Sequence, residues 1–270
     1  MGPNKSRLFL DPTFLLGLSC YISVLFVEGD IKAHSVNFRP LDVKLARKHF
    51  ADPTVIVSTV LTVAALALTW NTRVDALDSA TVRKAGWYLW NACLFHVMDG
   101  MVGLGFAPLL GENYDFLDNR LRAVEFSHGG PHPGEASIAH LILMIEIFFM
   151  APMCLLCFVG VIQQRKWAQD AEILLCATHV LGTIIWSIPP LLDDCKSLAP
   201  IGIAGCTPSV LSLYNLFYFW FGYGINLLWI FVGTRYLLEA MWSNYKIKTS
   251  QGFNKELISP LVDAKDKSAN

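Results

Sequence analysis

The sequence predicts an all-α fold, namely a polytopic membrane helix bundle with five core transmembrane helices and an extra hydrophobic helix at the N-terminus. Hydrophobic residues make up 54% of the 270 positions and charged residues only 16%, and the mean hydropathy is +0.44. These values lie outside the usual range of soluble domains. The formal net charge of −1 argues against a nucleic-acid partner.

Residues 1–52 are predicted to precede the membrane domain as a hydrophobic helix and a basic loop. The apolar stretch 8–27 is interrupted by Asp11 and Pro12. We see no small-residue cleavage site after it, so we expect an uncleaved anchor or a helix lying partly in the membrane interface. Residues 31–52 are polar and basic, which predicts a loop or an amphipathic surface helix.

Residues 53–242 are predicted to form the membrane domain, followed by a polar tail over residues 243–270. Most basic loop residues and the tail lysines fall on one side if the helices alternate, and the positive-inside rule makes that side cytosolic, although Arg120 and Arg122 in loop 109–137 weaken the charge contrast. The C-terminus is then cytosolic, and loops 109–137 and 191–209 are lumenal. The five predicted core spans are 55–70, 86–110, 138–162, 173–192 and 209–236.

Two cysteine pairs give different expectations. Cys195 and Cys206 share one predicted lumenal loop, where an oxidising compartment would allow a disulfide. Cys154 and Cys157 form a CxxC inside a predicted span, where we favour small-residue packing over a metal or redox site.

Ionisable side chains lie inside the predicted spans. His96 and Asp99 are three residues apart and therefore share a helix face. Glu146 lies near the centre of the next span, and His179 lies in the one after it. A carboxylate at the middle of a spanning helix costs on the order of 2.5–3.5 kcal/mol on insertion scales and usually marks function. With Asn226 in the last span, these residues predict a buried polar pocket.

Structural alternatives stay open for these residues. His96 or His179 could be a satisfied core histidine, an interpretation that we favour for His179. Glu146 and Asn226 could simply join helices through hydrogen bonds. A metal held by His96, Asp99 and Glu146 is conceivable, but their spacing matches no strong zinc signature. We therefore expect no metal and no cofactor.

A buried carboxylic acid walled by aromatic rings suits one kind of chemistry. Burial keeps such an acid protonated, so it can protonate an alkene or an epoxide where water is excluded. Aromatic faces stabilise the resulting carbocation, and a second group removes a proton from a neighbouring carbon. The rings that we expect around the substrate include those of Trp186, Tyr223 and Trp229.

Three stretches resemble the emopamil-binding protein family, also known as the EXPERA domain. They are ACLFHVMDG at 92–100, LMIEIFFMAP at 143–152 and YFWFGYGINLLW at 218–229, and the resemblance covers roughly residues 53–242. It implies a five-helix bundle of the endoplasmic reticulum membrane, with a cavity for a sterol-like ligand. The family includes the sterol Δ8–Δ7 isomerase, the sigma-2 receptor and fungal meroterpenoid cyclases.

The resemblance also implies roles for individual residues. Asp99 and Glu146 are similar to the family's two carboxylates, and His96 to the histidine before the first of them. Asn226 and Trp229 resemble the asparagine and tryptophan that line the pocket on the last helix. The sterol isomerase has a glutamate in place of Asp99, with its histidine four residues earlier, whereas here the separation is three. This change makes a terpenoid or meroterpenoid cyclase at least as strong an expectation as a sterol isomerase.

The expected function is therefore a cofactor-independent isomerase or cyclase, multi-pass in the endoplasmic reticulum membrane, that acts on a lipophilic sterol or terpenoid. Its expected partners are that substrate and membrane lipid, and a homodimer is left open. The alternative is a non-catalytic sterol-binding or trafficking protein of the sigma-2 type. A small transporter is least favoured, since no repeat pairing of interrupted helices is visible.

Overall fold

The computed structural model describes residues 6–30, 35–39, 41–107, 133–192 and 226–267. Within them the fold is helical apart from one antiparallel strand pair. Two helical segments, His140–Ile162 and Ala168–Ile188, are long and apolar enough to cross a membrane. A third candidate span is a pair of helices, Val43–Phe50 and Pro53–Leu68, bent by 70°. The prediction of a helical protein with apolar spans is confirmed at this level.

The first hydrophobic stretch forms two helices, α1 (Ser6–Phe9) and α2 (Pro12–Val24), with Asp11 between them. The Asp11 carboxylate accepts the backbone N–H of Thr13 at 2.9 Å and so caps α2, while Pro12 takes the first turn, where its missing N–H costs nothing. The polar break in the apolar stretch is therefore a helix start. The helix α2 also packs against the helix that begins at Ser79.

A strand pair, β1 (Val27–Asp30) and β2 (Ser35–Phe38), follows α2 in the region for which the sequence predicts a loop or surface helix. Val27 pairs with Phe38, and Arg39 N–H donates to the Phe26 carbonyl at 2.9 Å, which continues the ladder. The pair was not predicted because its register depends on contacts between segments, not on local periodicity.

Two helices of very different polarity come next, α3 (Val43–Phe50) and α4 (Pro53–Leu68). The predicted amphipathic helix is present as α3, whose last turn is basic. Asp52 caps α4 by accepting the Thr54 backbone N–H at 2.9 Å. Large apolar side chains lie exposed along one stripe of α4 at the helical spacing of four and three residues, as expected of a lipid-facing surface. They are Ile56, Val60 and Val63.

The predicted span 86–110 corresponds to a continuous helical run that begins earlier, at Ser79, and ends earlier, at Gly103. The run consists of α5 (Ser79–Trp90), a π-helical segment (Asn91–Phe95) and α6 (His96–Gly103). It begins early because Asp78 caps it by accepting the Thr81 backbone N–H at 2.9 Å, and this bond lowers the pKa of the exposed Asp78 carboxyl. It ends early because Gly105 has a φ of +71°, a conformation that ends helices.

The remaining predicted spans correspond to long helices. α7 (Pro133–Ile145), a second π-helical segment (Glu146–Met150) and α8 (Ala151–Ile162) form one run, followed by α9 (Ala168–Leu192) and α10 (Asn226–Lys267). The last helix thus extends well past residue 242, where the membrane domain was predicted to end. Residues 209–225 of the last predicted span, the two predicted lumenal loops for the most part, and Cys195 and Cys206 lie outside the described residues.

Four contacts place the basic loops at the same end of the bundle. Gln163 Nε2 donates to the Leu68 carbonyl at 3.5 Å, which joins the α8–α9 turn to the end of α4. The Asn244 side chain donates to Asp170 at 2.8 Å, which joins α10 to the start of α9. The start of α5 also meets α9 there, since Lys84 Nζ lies 3.3 Å from Glu172 Oε1. Arg7 in α1 reaches the same region by donating to the Leu77 carbonyl at 3.0 Å.

Glycine allows α6 to approach the second π-helical segment very closely. A Cβ atom built on Gly100 would lie 2.1 Å from Ile147 Cβ, and one on Gly103 would lie 2.6 Å from Leu143 Cβ. Close approach through small residues is a common way for membrane helices to pack. It brings the neighbours of Gly100 and Ile147, which are Asp99 and Glu146, into range of each other.

We expect Gly100→Ala to destabilise the protein by about 1–3 kcal/mol, because its methyl group would overlap a β-branched side chain that cannot move aside. Gly182→Ala is the matched control, since its Cβ would meet only the flexible end of Met150 at 3.1 Å. Thermal unfolding in detergent checks this. Equal unfolding temperatures for the two variants would contradict the proposed close approach.

Candidate functional site

The predicted ionisable residues come together in one buried cluster. His96 and Asp99 lie on α6, Glu146 begins the second π-helical segment, and His179 lies on α9. Residue exposure is only 2% for His96, 7% for Asp99 and 1% for His179. The four side chains come from three separate helical runs, so only the tertiary fold creates the cluster.

The members of this polar cluster contact one another in series. Nε2 of His96 lies 2.8 Å from Nε2 of His179, a hydrogen-bond distance. On the other side of the same ring, Nδ1 of His96 lies 3.6 Å from Oε2 of Glu146. The Asp99 and Glu146 carboxyls lie close enough to influence each other.

Both π-helical segments flank this cluster, and each has a local cause. Pro152 cannot donate a hydrogen bond to the carbonyl four residues before it, which favours a wider turn ahead of it at Glu146–Met150. In the first segment, the Asn91 side chain donates to the Trp87 carbonyl at 2.8 Å and so competes with the backbone for that acceptor. Single π turns inside α-helices occur frequently at functional sites.

An aromatic cluster adjoins the polar one through Phe95. The Phe95 ring lies 4.3 Å from the Trp229 ring and 6.2 Å from the His96 ring, measured between centroids. Trp229 also lies 5.7 Å from Trp87 and 5.6 Å from Trp90. Its indole N–H donates to the Asn91 side-chain carbonyl at 2.7 Å, and this bond is buried. Trp229 thus lies beside Phe95, whose ring adjoins that of His96.

The indole N–H groups of Trp87 and Trp90 are buried and, among the described residues, have no hydrogen-bond partner. An unpaired buried donor costs about 1–3 kcal/mol. Such groups are retained where packing or a functional role compensates for that cost. They give the aromatic cluster two N–H donors from which an oxygen atom of a bound molecule could accept hydrogen bonds.

The structure describes two of the three other predicted site residues. Trp186 is half-buried against the core, two helical turns beyond His179. Asn226 begins α10 and is half-buried, three residues before Trp229. Tyr223 lies outside the described residues.

Two residues in contact with these clusters were not predicted as site residues. Cys154 was interpreted as packing, yet its Sγ lies 3.7 Å from His179 Nε2. Asn91 was overlooked although it is fully buried, and a polar amide inside an apolar span was the signal that drew attention to Asn226. The position of Cys154 gave no such signal, because only the fold brings α8 beside α9 and α6.

A scan against protein-family models matches no family, and a search of the curated proteins finds no match for this chain. The resemblance to the emopamil-binding protein family therefore stays a prediction that rests on the three quoted stretches.

The bond between Asn91 and Trp229 gives a stability prediction. Asn91→Leu keeps the approximate size of the side chain and removes the acceptor, so we expect a loss of about 1–3 kcal/mol from the unpaired indole. Combined with Trp229→Phe, its effect should be non-additive by about 0.5–3 kcal/mol, because the second change removes the donor as well.

Trp90→Phe is the packing control, because Trp90 contacts the same Trp229 ring but shares no hydrogen bond with Asn91, so its coupling to Asn91→Leu should be the smaller of the two. Denaturant unfolding of the six proteins in detergent measures both cycles. Additivity in the Trp229 cycle would show that the bond contributes no stability.

Proposed function

We propose that this chain is a membrane-embedded isomerase or cyclase that protonates an alkene or epoxide of a lipophilic sterol or terpenoid. The observation that carries the proposal is that the Asp99 and Glu146 carboxyls lie beside each other and beside His96, inside the bundle. Of two neighbouring acid groups, one can give a proton and the other can accept one at neighbouring carbons.

The chemistry balances without a cofactor. The protonated member of the pair gives its proton to one alkene carbon, and the alkene electrons form the new C–H bond. The carbocation left on the other carbon either isomerises directly or is attacked by a second alkene to close a ring. A base, Glu146, Asp99 or His96, then removes a proton from an adjacent carbon, and those electrons form the new double bond. The proton is regained, so the site is ready for the next turnover.

The aromatic cluster supports a cationic intermediate. Phe95 lies between His96 and Trp229, with ring centroids 6.2 Å and 4.3 Å away. Ring faces attract positive charge, and the attraction is stronger where water is excluded. The Glu146 side chain keeps 14% exposure, so it is the member of the cluster best placed to meet a substrate that enters from the bundle surface.

The resemblance to the emopamil-binding protein family supports the remaining features of the proposal. They are a bundle of five core helices, an additional N-terminal hydrophobic helix, and a multi-pass location in the endoplasmic reticulum membrane. The basic end of the bundle supports a cytosolic C-terminus, because the α8–α9 turn, the end of α4 and the start of α5 meet there. Membrane lipid and the hydrophobic substrate are the proposed partners.

One observation favours the alternative of a sterol-binding protein without turnover. The site residues engage one another closely, with His96 bonded to His179 and Trp229 bonded to Asn91. Such a site could hold a cationic amphiphile between carboxylates and aromatic rings without performing chemistry. Binding of an amine ligand by a chain that converts no substrate would favour this alternative.

The proposed roles predict that Asp99→Asn and Glu146→Gln each lower product formation by about 10²–10⁴-fold, the usual contribution of general acid or base catalysis. The assay is the sterol profile of a host that lacks its own Δ8–Δ7 isomerase, with prenylated or epoxidised terpenoids as further substrates. Both substitutions keep size and remove only the acid function.

Glu172→Gln is the matched control, since Glu172 is also a buried glutamate but pairs with Lys84 at the basic end. It should keep most of the activity at equal protein level. Full activity of both Asp99→Asn and Glu146→Gln would exclude the proposed acid–base pair, as would an equal loss in Glu172→Gln.

A further inference from the structure

His96, Cys154 and His179 form a second grouping within the bundle, distinct from the carboxyl pair. One donor atom from each of the three side chains lies within 4.8 Å of the other two. Among the described contacts, the two Nε2 atoms are 2.8 Å apart, and Cys154 Sγ is 3.7 Å from His179 Nε2. All three residues are at most 2% exposed.

We propose that these three side chains bind one divalent metal ion of the zinc class. Zinc is held by imidazole nitrogens at about 2.0–2.1 Å and by cysteine sulfur at about 2.3 Å. A tetrahedral site with these bond lengths separates two nitrogens by about 3.3 Å and a nitrogen from the sulfur by about 3.6 Å. The distance of 3.7 Å from Cys154 Sγ to His179 Nε2 already fits, the two rings need to separate by about half an ångström, and the donor atoms of Cys154 and His96 lie within 4.8 Å of each other.

The orientation of the His96 ring supports the proposal independently. Metal-bound histidines usually direct their second nitrogen at a carboxylate or carbonyl, which fixes the tautomer. His96 is oriented in this way, with Nε2 in the three-residue group and Nδ1 facing Glu146 Oε2 at 3.6 Å, a distance that must shorten before the two atoms can hydrogen-bond. If no ion is bound, the two facing Nε2 atoms must share one proton. A metal ion would accept a lone pair from each of them instead.

Charge also favours a cation at this position. Two neutral imidazoles and one thiolate leave a Zn²⁺ site with one positive charge. The Glu146 carboxyl beside His96 is a group that can balance that charge, which matters at this depth because isolated charges are costly inside a membrane. Cys154 and His179 both lie well inside the candidate spans His140–Ile162 and Ala168–Ile188.

Three protein ligands leave one coordination position open. Structural zinc sites usually have four protein ligands, whereas an open position is typical of sites that bind water or a substrate oxygen. The expected occupant is therefore an oxygen ligand from solvent or from the bound molecule. The inference does not rest on the proposed function, since the metal ligands are separate from the Asp99 and Glu146 carboxyls.

The test uses the full chain purified in detergent, stripped with a chelator and titrated with Co²⁺, which absorbs in the near ultraviolet when a thiolate binds it. We expect one Co²⁺ per chain with this thiolate band, and displacement by Zn²⁺. Cys154→Ser should abolish the band. The matched control Cys157→Ser should keep it, because Cys157 is equally buried on the same helix but lies outside the group.

Two further variants keep the test decisive if Cys154→Ser fails to fold. Glu146→Gln retains all three ligands and should weaken Co²⁺ binding by about 10–100-fold, the usual effect of losing the carboxylate behind a metal-bound histidine. His179→Gln should weaken it at least as much. Absence of the band in the unmodified chain, or its persistence in folded Cys154→Ser, would overturn the proposal, and so would its loss in folded Cys157→Ser.

These readouts are spectroscopic and need no turnover. A chain that binds Co²⁺ through Cys154 but converts no sterol or terpenoid retains the metal site and contradicts the proposed reaction. A chain with turnover and no thiolate band gives the opposite result.

Discussion

Contacts among polar side chains buried in this apolar bundle join its helices, although several polar atoms among them, such as His96 Nδ1 and Trp87 Nε1, have no hydrogen-bond partner among the described residues. His179, His96, Glu146 and Asp99 form a connected series across three helical runs. A second connection joins Trp229 on α10 to Asn91 ahead of α6. Because lipid supplies no hydrogen-bond partners, each of these contacts also specifies which helices pack together. The ionisable side chains that suit chemistry are therefore also the ones that hold the helices in place.

Backbone features allow these side chains to meet. Gly100 has no side chain to hold α6 away from Ile147. The two π-helical segments change which residues face inward near that contact. Asp99 and Glu146 are the sequence neighbours of this close approach. A loosening of the helix contact would thus separate the two carboxyls before it affected more distant residues.

The His96 ring divides the cluster into two chemically different halves. Its Nδ1 side faces carboxyl groups that suit proton transfer, and its Nε2 side faces an imidazole and a thiol that suit a borderline metal ion. A ring ligated at Nε2 would carry its proton on Nδ1, directed at Glu146. The two proposals are therefore compatible with Asp99 or Glu146 as the base, because a bound metal would leave His96 with a proton on Nδ1 and no free lone pair to accept another.

The class of fold and most residues of the ionisable cluster can be predicted from the sequence. Apolar stretches of membrane length and the costly positions of Asp99 and Glu146 within them are visible without a structure, and the three-residue spacing of His96 and Asp99 places them on one face. Helix starts were also encoded locally, by Asp11 before Pro12 and by Asp52 before Pro53. The strand pair and the partners of each polar side chain depend on the tertiary structure, whereas the early start at Ser79 has a local cause in the Asp78 cap. Cys154 shows the reason most clearly: its spacing to Cys157 is a local pattern that suggested packing, whereas its approach to His179 depends on how two separate helices cross.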